Sequence, residues 1–260
     1  VQLKVSGTGR LVAAAGVVAV ATAGAVIARA DDPSARTAQS AGGLRVSPAG
    51  VERDAAPGVA NPVTVANRSR ESLTITVNAR PWTQSSSGAT SPNRRRTLRG
   101  VTISDKEFTL APGASKEVMV TQTSGSSLYG ALEVIGLPRD ADEQKGIVTG
   151  YRIVGALRYH PTARTYKLSA GKAKISKGFI VLPVRNSGNT VEPVTGTVRV
   201  KGPLGTRQGS IKATRILPRK RISLPLVSAK RLTAGRYTAT ITLRQGTERV
   251  EITKRIRVRR

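Results

Sequence analysis

From Leu44 onward apolar and polar residues alternate with a period of two, the pattern of strands that bury one face. "FTLAPGASKEVMV", Phe108 to Val120, shows it plainly. Phe108 and Leu110 precede a Pro112-Gly113 turn, Val118 and Val120 follow it, and Lys116 and Glu117 lead into the returning strand. The spacing predicts a hairpin whose four apolar side chains enter a core. Further strands are expected at 44–46, 62–66, 73–77, 107–110, 116–121, 128–137 and 147–159, about seven in roughly 120 residues. A second set is expected at 179–185, 194–201, 209–214, 222–227, 235–243 and 249–258. No stretch carries the helical period.

The two sets repeat one plan. "VTVANRS", with Asn67, is echoed by "LPVRNSG", with Asn186; "LAPGASKEVMV" is echoed by "LPRKRISLPLV" and "LYGALEVIG" by "TAGRYTATITL". The step from the turn proline to the later glycine is 18 residues in one set, Pro112 to Gly130, and 17 in the other, Pro218 to Gly235. Matched spacing argues for two domains of the same architecture. The expected fold is all-β, two tandem immunoglobulin-like β-sandwich domains over 44–163 and 164–260. An N-terminal segment precedes them. Lys4 and Arg10 lead into an apolar run over 11–27 that ends at Ala28-Arg29-Ala30, the layout of a secretory signal over 1–30. No Arg-Arg pair precedes the run, which favours general export over the twin-arginine route. Small polar residues over 31–43 read as a flexible leader.

The order "VTVANRSRESLTITV", "FTLAPGASKEVMV", "SLYGALEVIG" resembles the N-terminal immunoglobulin-like domain of bacterial exported surface proteins of the WxL-interacting type. It is also similar to the first domain of periplasmic pilus chaperones. The first resemblance implies a wall-binding domain followed by a sandwich that binds an external partner. The second implies a chaperone that lends a strand to an unfinished subunit. Both cover about residues 44–157, and no anchor residue is carried over from either.

Composition narrows the chemistry. Among 260 residues there is no cysteine, so disulfides and thiolate metal sites are excluded, and the single histidine, His160, has no second His or Cys to complete a usual zinc site. In "RYHPTARTY" His160 is expected to be a solvated hinge residue. Asp105 and Glu107 share a strand face and would suit paired-carboxylate hydrolysis only across a cleft. Asp140, Asp142 and Glu143 lack the ligand alternation of a calcium loop and read as a solvated loop tip. No glycine pattern joins a strand to a helix, so no phosphate loop is indicated. No catalytic residue, cofactor, metal or small-molecule substrate is therefore expected. Two long loops, 81–100 and 138–146, are places for binding. The first carries Trp82, Arg94, Arg95, Arg96 and Arg99, a possible partner loop. Trp82 and Tyr129 are the aromatics to watch, Trp82 as an exposed anchor or as core.

Charge is distributed unevenly. The formal net charge is +28, and Asp31 to Ala163 holds 16 basic and 12 acidic residues whereas Arg164 to Arg260 holds 24 basic and 3 acidic. In "EITKRIRVRR" strand alternation puts Ile252, Ile256 and Val258 on one face and Arg255, Arg257 and Arg259 on the other, each about 7 Å from the next. With the tip Arg219, Lys220 and Arg221 these six are candidate anion-binding residues, and Lys172, Lys174, Arg199 and Lys201 extend the field. An export signal and few aromatics speak against nucleic acid. The expectation is an exported, non-enzymatic cell-envelope binding or adhesion protein whose basic second domain contacts an anionic wall polymer or surface protein, touching membrane only through its signal segment or anionic headgroups. The alternative is a chaperone-like protein pairing an open sheet edge with a client strand. Third in order is an enzyme using Asp105, Glu107 and His160.

Overall fold

A computed structural model describes residues 43–230 and 232–259; the expected signal segment and nearly all of the expected leader lie outside them. The described chain is built of strands, and these form two sandwiches, each around its own apolar core. In the first, β1 (Leu44–Ser47), β3 (Ala60–Asn67), β8 (Ser115–Gln122) and β6 (Val101–Ile103) make one sheet in the order β1-β3-β8-β6. The facing sheet runs β2 (Gly50–Asp54), β10 (Tyr151–His160), β9 (Leu128–Pro138), β4 (Leu73–Gln84), β5 (Thr90–Pro92), with β7 (Glu107–Leu110) also beside β4. The second sandwich pairs β11 (Leu168–Ala170), β12 (Lys174–Ser176) and β16 (Arg221–Ser228) around β13 (Phe179–Asn186). Its other sheet runs β15 (Gly205–Arg215), β14 (Pro193–Gly202), β17 (Gly235–Gln245), β18 (Glu248–Val258).

Alternation does what it predicts at the core. Leu73, Ile75, Val77 and Ala79 are buried along β4, and Tyr237, Ala239, Ile241 and Leu243 along β17. The Leu, Ile and Val side chains among them each stabilise by about 1.5–3 kcal/mol where fully buried. The chain enters the first sandwich by changing sheets: β1 pairs antiparallel with β3, and after the cis Ser47-Pro48 bond β2 pairs parallel with β10.

The Phe108 to Val120 segment is not a hairpin. Strand β7 pairs with β4 and β8 pairs with β3 and β6, so the Pro112-Gly113 turn carries the chain from one sheet to the other. The reason is Asn67. Its side-chain amide donates to Leu110 O at 3.0 Å and Glu71 O at 2.7 Å, while the Gly113 amide donates to Asn67 O. The turn is thereby pinned to the end of β3 rather than folded onto its neighbour.

The second sandwich repeats this arch bond for bond. Asn186, also fully buried, donates to Ile216 O at 2.8 Å and Thr190 O at 2.7 Å, and the Arg219 amide donates to Asn186 O. The turns Ala111 to Ala114 and Leu217 to Lys220 each close with a bond of 3.0 Å. One difference stands out. Gly113 has φ 77° and Arg219 has φ 65°, so a residue with a Cβ occupies the left-handed position that glycine fills in the first copy. That conformation disfavours a non-glycine residue by about 1 kcal/mol or more.

Candidate functional site

The outer face of the β2-β10-β9-β4-β5 sheet runs from an open strand edge to the junction between the sandwiches. Strand β10 pairs with β9 over Tyr151 to Tyr159 but with β2 only over Ala156 to His160. Among the described residues nothing pairs the other edge of β10 from Tyr151 to Gly155. The opening ends where the β1–β2 crossover meets Gly155; a Cβ there would stand 2.3 Å from Ala49 O. Val154 is exposed on this segment, and Leu137 and Ile147 are exposed among the described residues of the neighbouring hairpin end. Among the other free edges, β18 bears Arg249, Arg255 and Arg257, charges that discourage a second strand from pairing, and β15 bounds the same sheet on its opposite side. The β10 opening has Arg152 alone.

Beside that opening lies a buried carboxylate. Glu133 on β9 is 1% exposed and meets three guanidiniums: Arg152 at 2.6 Å, Arg94 at 3.1 Å and Arg80 at 3.5 Å. Burial pushes its pKa up, but Arg152 and Arg94 outweigh burial and hold it below the ordinary value. Arg94, expected to face a partner, is instead turned onto the sheet. Arg95, Arg96 and Arg99 are exposed.

The 81–100 segment is not a free loop. Strand β4 continues through Trp82 to Gln84, turns, and returns as β5, forming an arm that reaches the second sandwich. Gln84 uses both ends of its amide there: Nε2 donates to Arg215 O at 2.8 Å and Oε1 accepts from Leu217 N at 2.9 Å. Ser223 N donates to Ser86 O at 2.7 Å. Further locks come from Arg164, which bridges Asp54 at 2.6 Å and Glu192 at 2.9 Å, and from Tyr129, whose hydroxyl donates to Asn189 O at 2.8 Å. Burial pushes the Tyr129 phenol up to about 12.

His160 is no solvated hinge. It is 4% exposed, its ring packs edge-on against Tyr129 at 5.8 Å, and Nε2 lies 3.1 Å from Glu52. The cause is its place at the end of β10, inside the junction. Asp105 is engaged elsewhere, with Lys116 at 2.6 Å and Ser104 at 2.7 Å, so the two carry no joint chemistry. Among the described residues no three His, Asp or Glu side chains gather as a metal site.

Two clefts flank the junction. A cleft of about 370 Å³ is lined by Glu52, Asp54, His160, Arg164, Glu192 and Arg215, charges that largely satisfy one another. A larger one, about 620 Å³, has apolar walls from Trp82, Leu98, Leu128, Leu217 and Pro218, with Arg219 and Lys220 at its rim and no carboxylate in its lining. Trp82 and Arg219, distant in the sequence, are brought together by the fold.

The six candidate anion-binding residues form two groups. Arg219, Lys220 and Arg221 sit at the junction. Arg255, Arg257 and Arg259 are exposed near the far end of β18, roughly 30 Å away by strand rise. There Arg257 lies opposite Arg236, and Arg255 lies opposite Thr238, which is opposite Lys201. A cleft of about 440 Å³ lies among Arg236, Thr238, Arg255 and Arg257. The alternation that exposes these arginines was legible; their separation from Arg219 was not.

No protein family's sequence pattern matches the chain, and no curated protein matches it. Solved structures do. A chain of the chaperone–tip adhesin complex of CFA/I fimbriae is 17% identical with a TM-score of 0.54, covering 81% of this chain and 98% of its own. The class 5 fimbriae chaperone CfaA is 16% identical with a TM-score of 0.49, over 81% and 98%. The CsuC–CsuE chaperone–tip adhesion subunit complex of Acinetobacter baumannii gives 13% and 0.42, over 83% and 99%. At such identity the likeness is one of fold. The resemblance to WxL-interacting proteins gains no support from it.

Proposed function

We propose that this is an exported, non-enzymatic, chaperone-like protein whose open β10 edge takes up a strand from a client protein. One observation carries the reading: among the described residues Tyr151 to Gly155 is paired on one side only, and that edge offers Tyr151, Ile153 and Val154 rather than a row of cations. Backbone groups left open on an edge are satisfied by an added strand, and the side chains beside them select its sequence. The fold shared with a chain of a chaperone–adhesin complex supports the same reading, as does the export signal over 1–30. The division into 44–163 and 164–260 is part of this proposal, with the arm over Trp82 to Pro92 as the brace between the two.

Because the chain has no cysteine, Val154→Cys provides a single point for a photo-crosslinker. Crosslinking in an envelope extract is expected to yield one client, joined through an extended segment identified by mass spectrometry, with Arg255→Cys on the β18 edge yielding none. Equal or absent capture at the two positions would overturn the proposal.

A second reading rests on Lys201, Arg236, Arg255 and Arg257, which gather at one end of the sheet with no carboxylate there among the described residues. They suit attachment to an anionic envelope polymer.

A further inference from the structure

The junction cavity has the composition of a ligand site that neither reading uses. Its volume, about 620 Å³, lies in the range of small-molecule pockets; an apolar patch and two cations share its lining with neutral polar residues, Ser127, Tyr129, Thr165, Ser187 and Asn189. The wall draws on both sandwiches: Trp82 and Leu128 from the first, Leu217 and Pro218 from the second. The rim is Arg219 and Lys220, and neither side chain has an ion pair among the described residues.

Arg219 supplies a second, independent observation. Its φ of 65° is the geometry that Gly113 adopts in the equivalent turn of the first sandwich, with the same backbone hydrogen bonds. The turn itself therefore calls for glycine. A cation placed there against local preference, at the mouth of an apolar cavity, marks a position where the side chain has work beyond the turn.

We infer that the cavity binds a small single-tailed amphiphile with an anionic head, the tail against Trp82, Leu128 and Leu217 and the carboxylate or phosphate on the Arg219 guanidinium and the Lys220 ammonium. Apolar burial drives the tail in, and a paired guanidinium discriminates the charged head from a neutral one. This goes beyond the strand-pairing reading and does not rest on it. It departs from the expectation that no small molecule is bound.

Trp82 is the only tryptophan, so its fluorescence reports on the cavity directly. Titration with dodecanoate is expected to give a saturable change, with dodecyl phosphate behaving alike and dodecan-1-ol binding about tenfold more weakly. Arg219→Gly is expected to weaken dodecanoate about tenfold without lowering the melting temperature, since glycine suits the turn. Val154→Lys, on the open edge, leaves the titration unchanged. A flat titration, equal affinity for dodecan-1-ol, or full affinity in Arg219→Gly would each overturn the inference, and so would a site that ignores dodecanoate but accepts a peptide C-terminus.

Discussion

Glu133 shows how a charge can be buried on the face of a sheet. It lies on β9 between β4 and β10, and the diagonal neighbours across those strands, Arg80 and Arg152, flank it while Arg94 closes over the top. Its folded pKa is below the ordinary 4.5, so the stabilisation is present above that value and is lost as pH falls through the folded pKa. Glu133→Gln leaves three guanidiniums without their carboxylate and is expected to cost about 3 kcal/mol at pH 7 in urea unfolding. The gap between variant and parent should narrow as pH falls below 4.5 and close once the folded carboxyl is protonated; a gap unchanged from pH 7 to pH 3 would contradict this account. Nothing in the sequence around Glu133 announces the cluster, because its members come from four separate segments. The two buried asparagines are the opposite case. Asn67 and Asn186 were visible as an echo, and the echo holds because each satisfies the same two carbonyls.

At the scale of elements, legibility followed amphipathicity. The expected strands of the second half lie within a few residues of β13 to β18; alternate burial is clearest in β16 and β17, while the eleven-residue β15 buries Ile211 alone. Strand β2, "GVERD", was missed because Val51 is its one buried residue and its position depends on pairing with β10. The arm from Trp82 to Pro92 was read as a loop for a related reason: much of it is solvated, so no apolar period marks it. Strand β10 was expected to begin at Ile147 but begins at Tyr151, where pairing with β9 starts. The arm braces the junction through a few polar contacts, and Gln84→Ala removes two of them at a cost of about 1–2 kcal/mol. Removing residues 85–89 as well is expected to loosen the sandwiches without unfolding either. Small-angle scattering should show a broader distance distribution with unchanged strand content; an identical distribution would mean that Arg164 and Tyr129 hold the junction without the arm.

The whole molecule is polarised. Its surplus charge belongs to the second sandwich, and the six candidate anion-binding residues there fall into a junction group and a distal group. If the distal group meets an anionic polymer through four contacts, affinity for polyphosphate should drop roughly 50-fold between 50 and 200 mM salt. Reversing Lys201, Arg236, Arg255 and Arg257 to Glu should abolish it. Binding indifferent to salt would remove the second reading and leave strand uptake standing. The uncovered half of β10 carries one more consequence. An edge that welcomes a foreign chain equally welcomes its own twin: two molecules can lay these segments antiparallel about a two-fold axis, each quenching the other's vacant amides. Where the edge serves a client as proposed, crowding is the client's rival, and the working pool of monomer follows how quickly clients arrive to break such pairs.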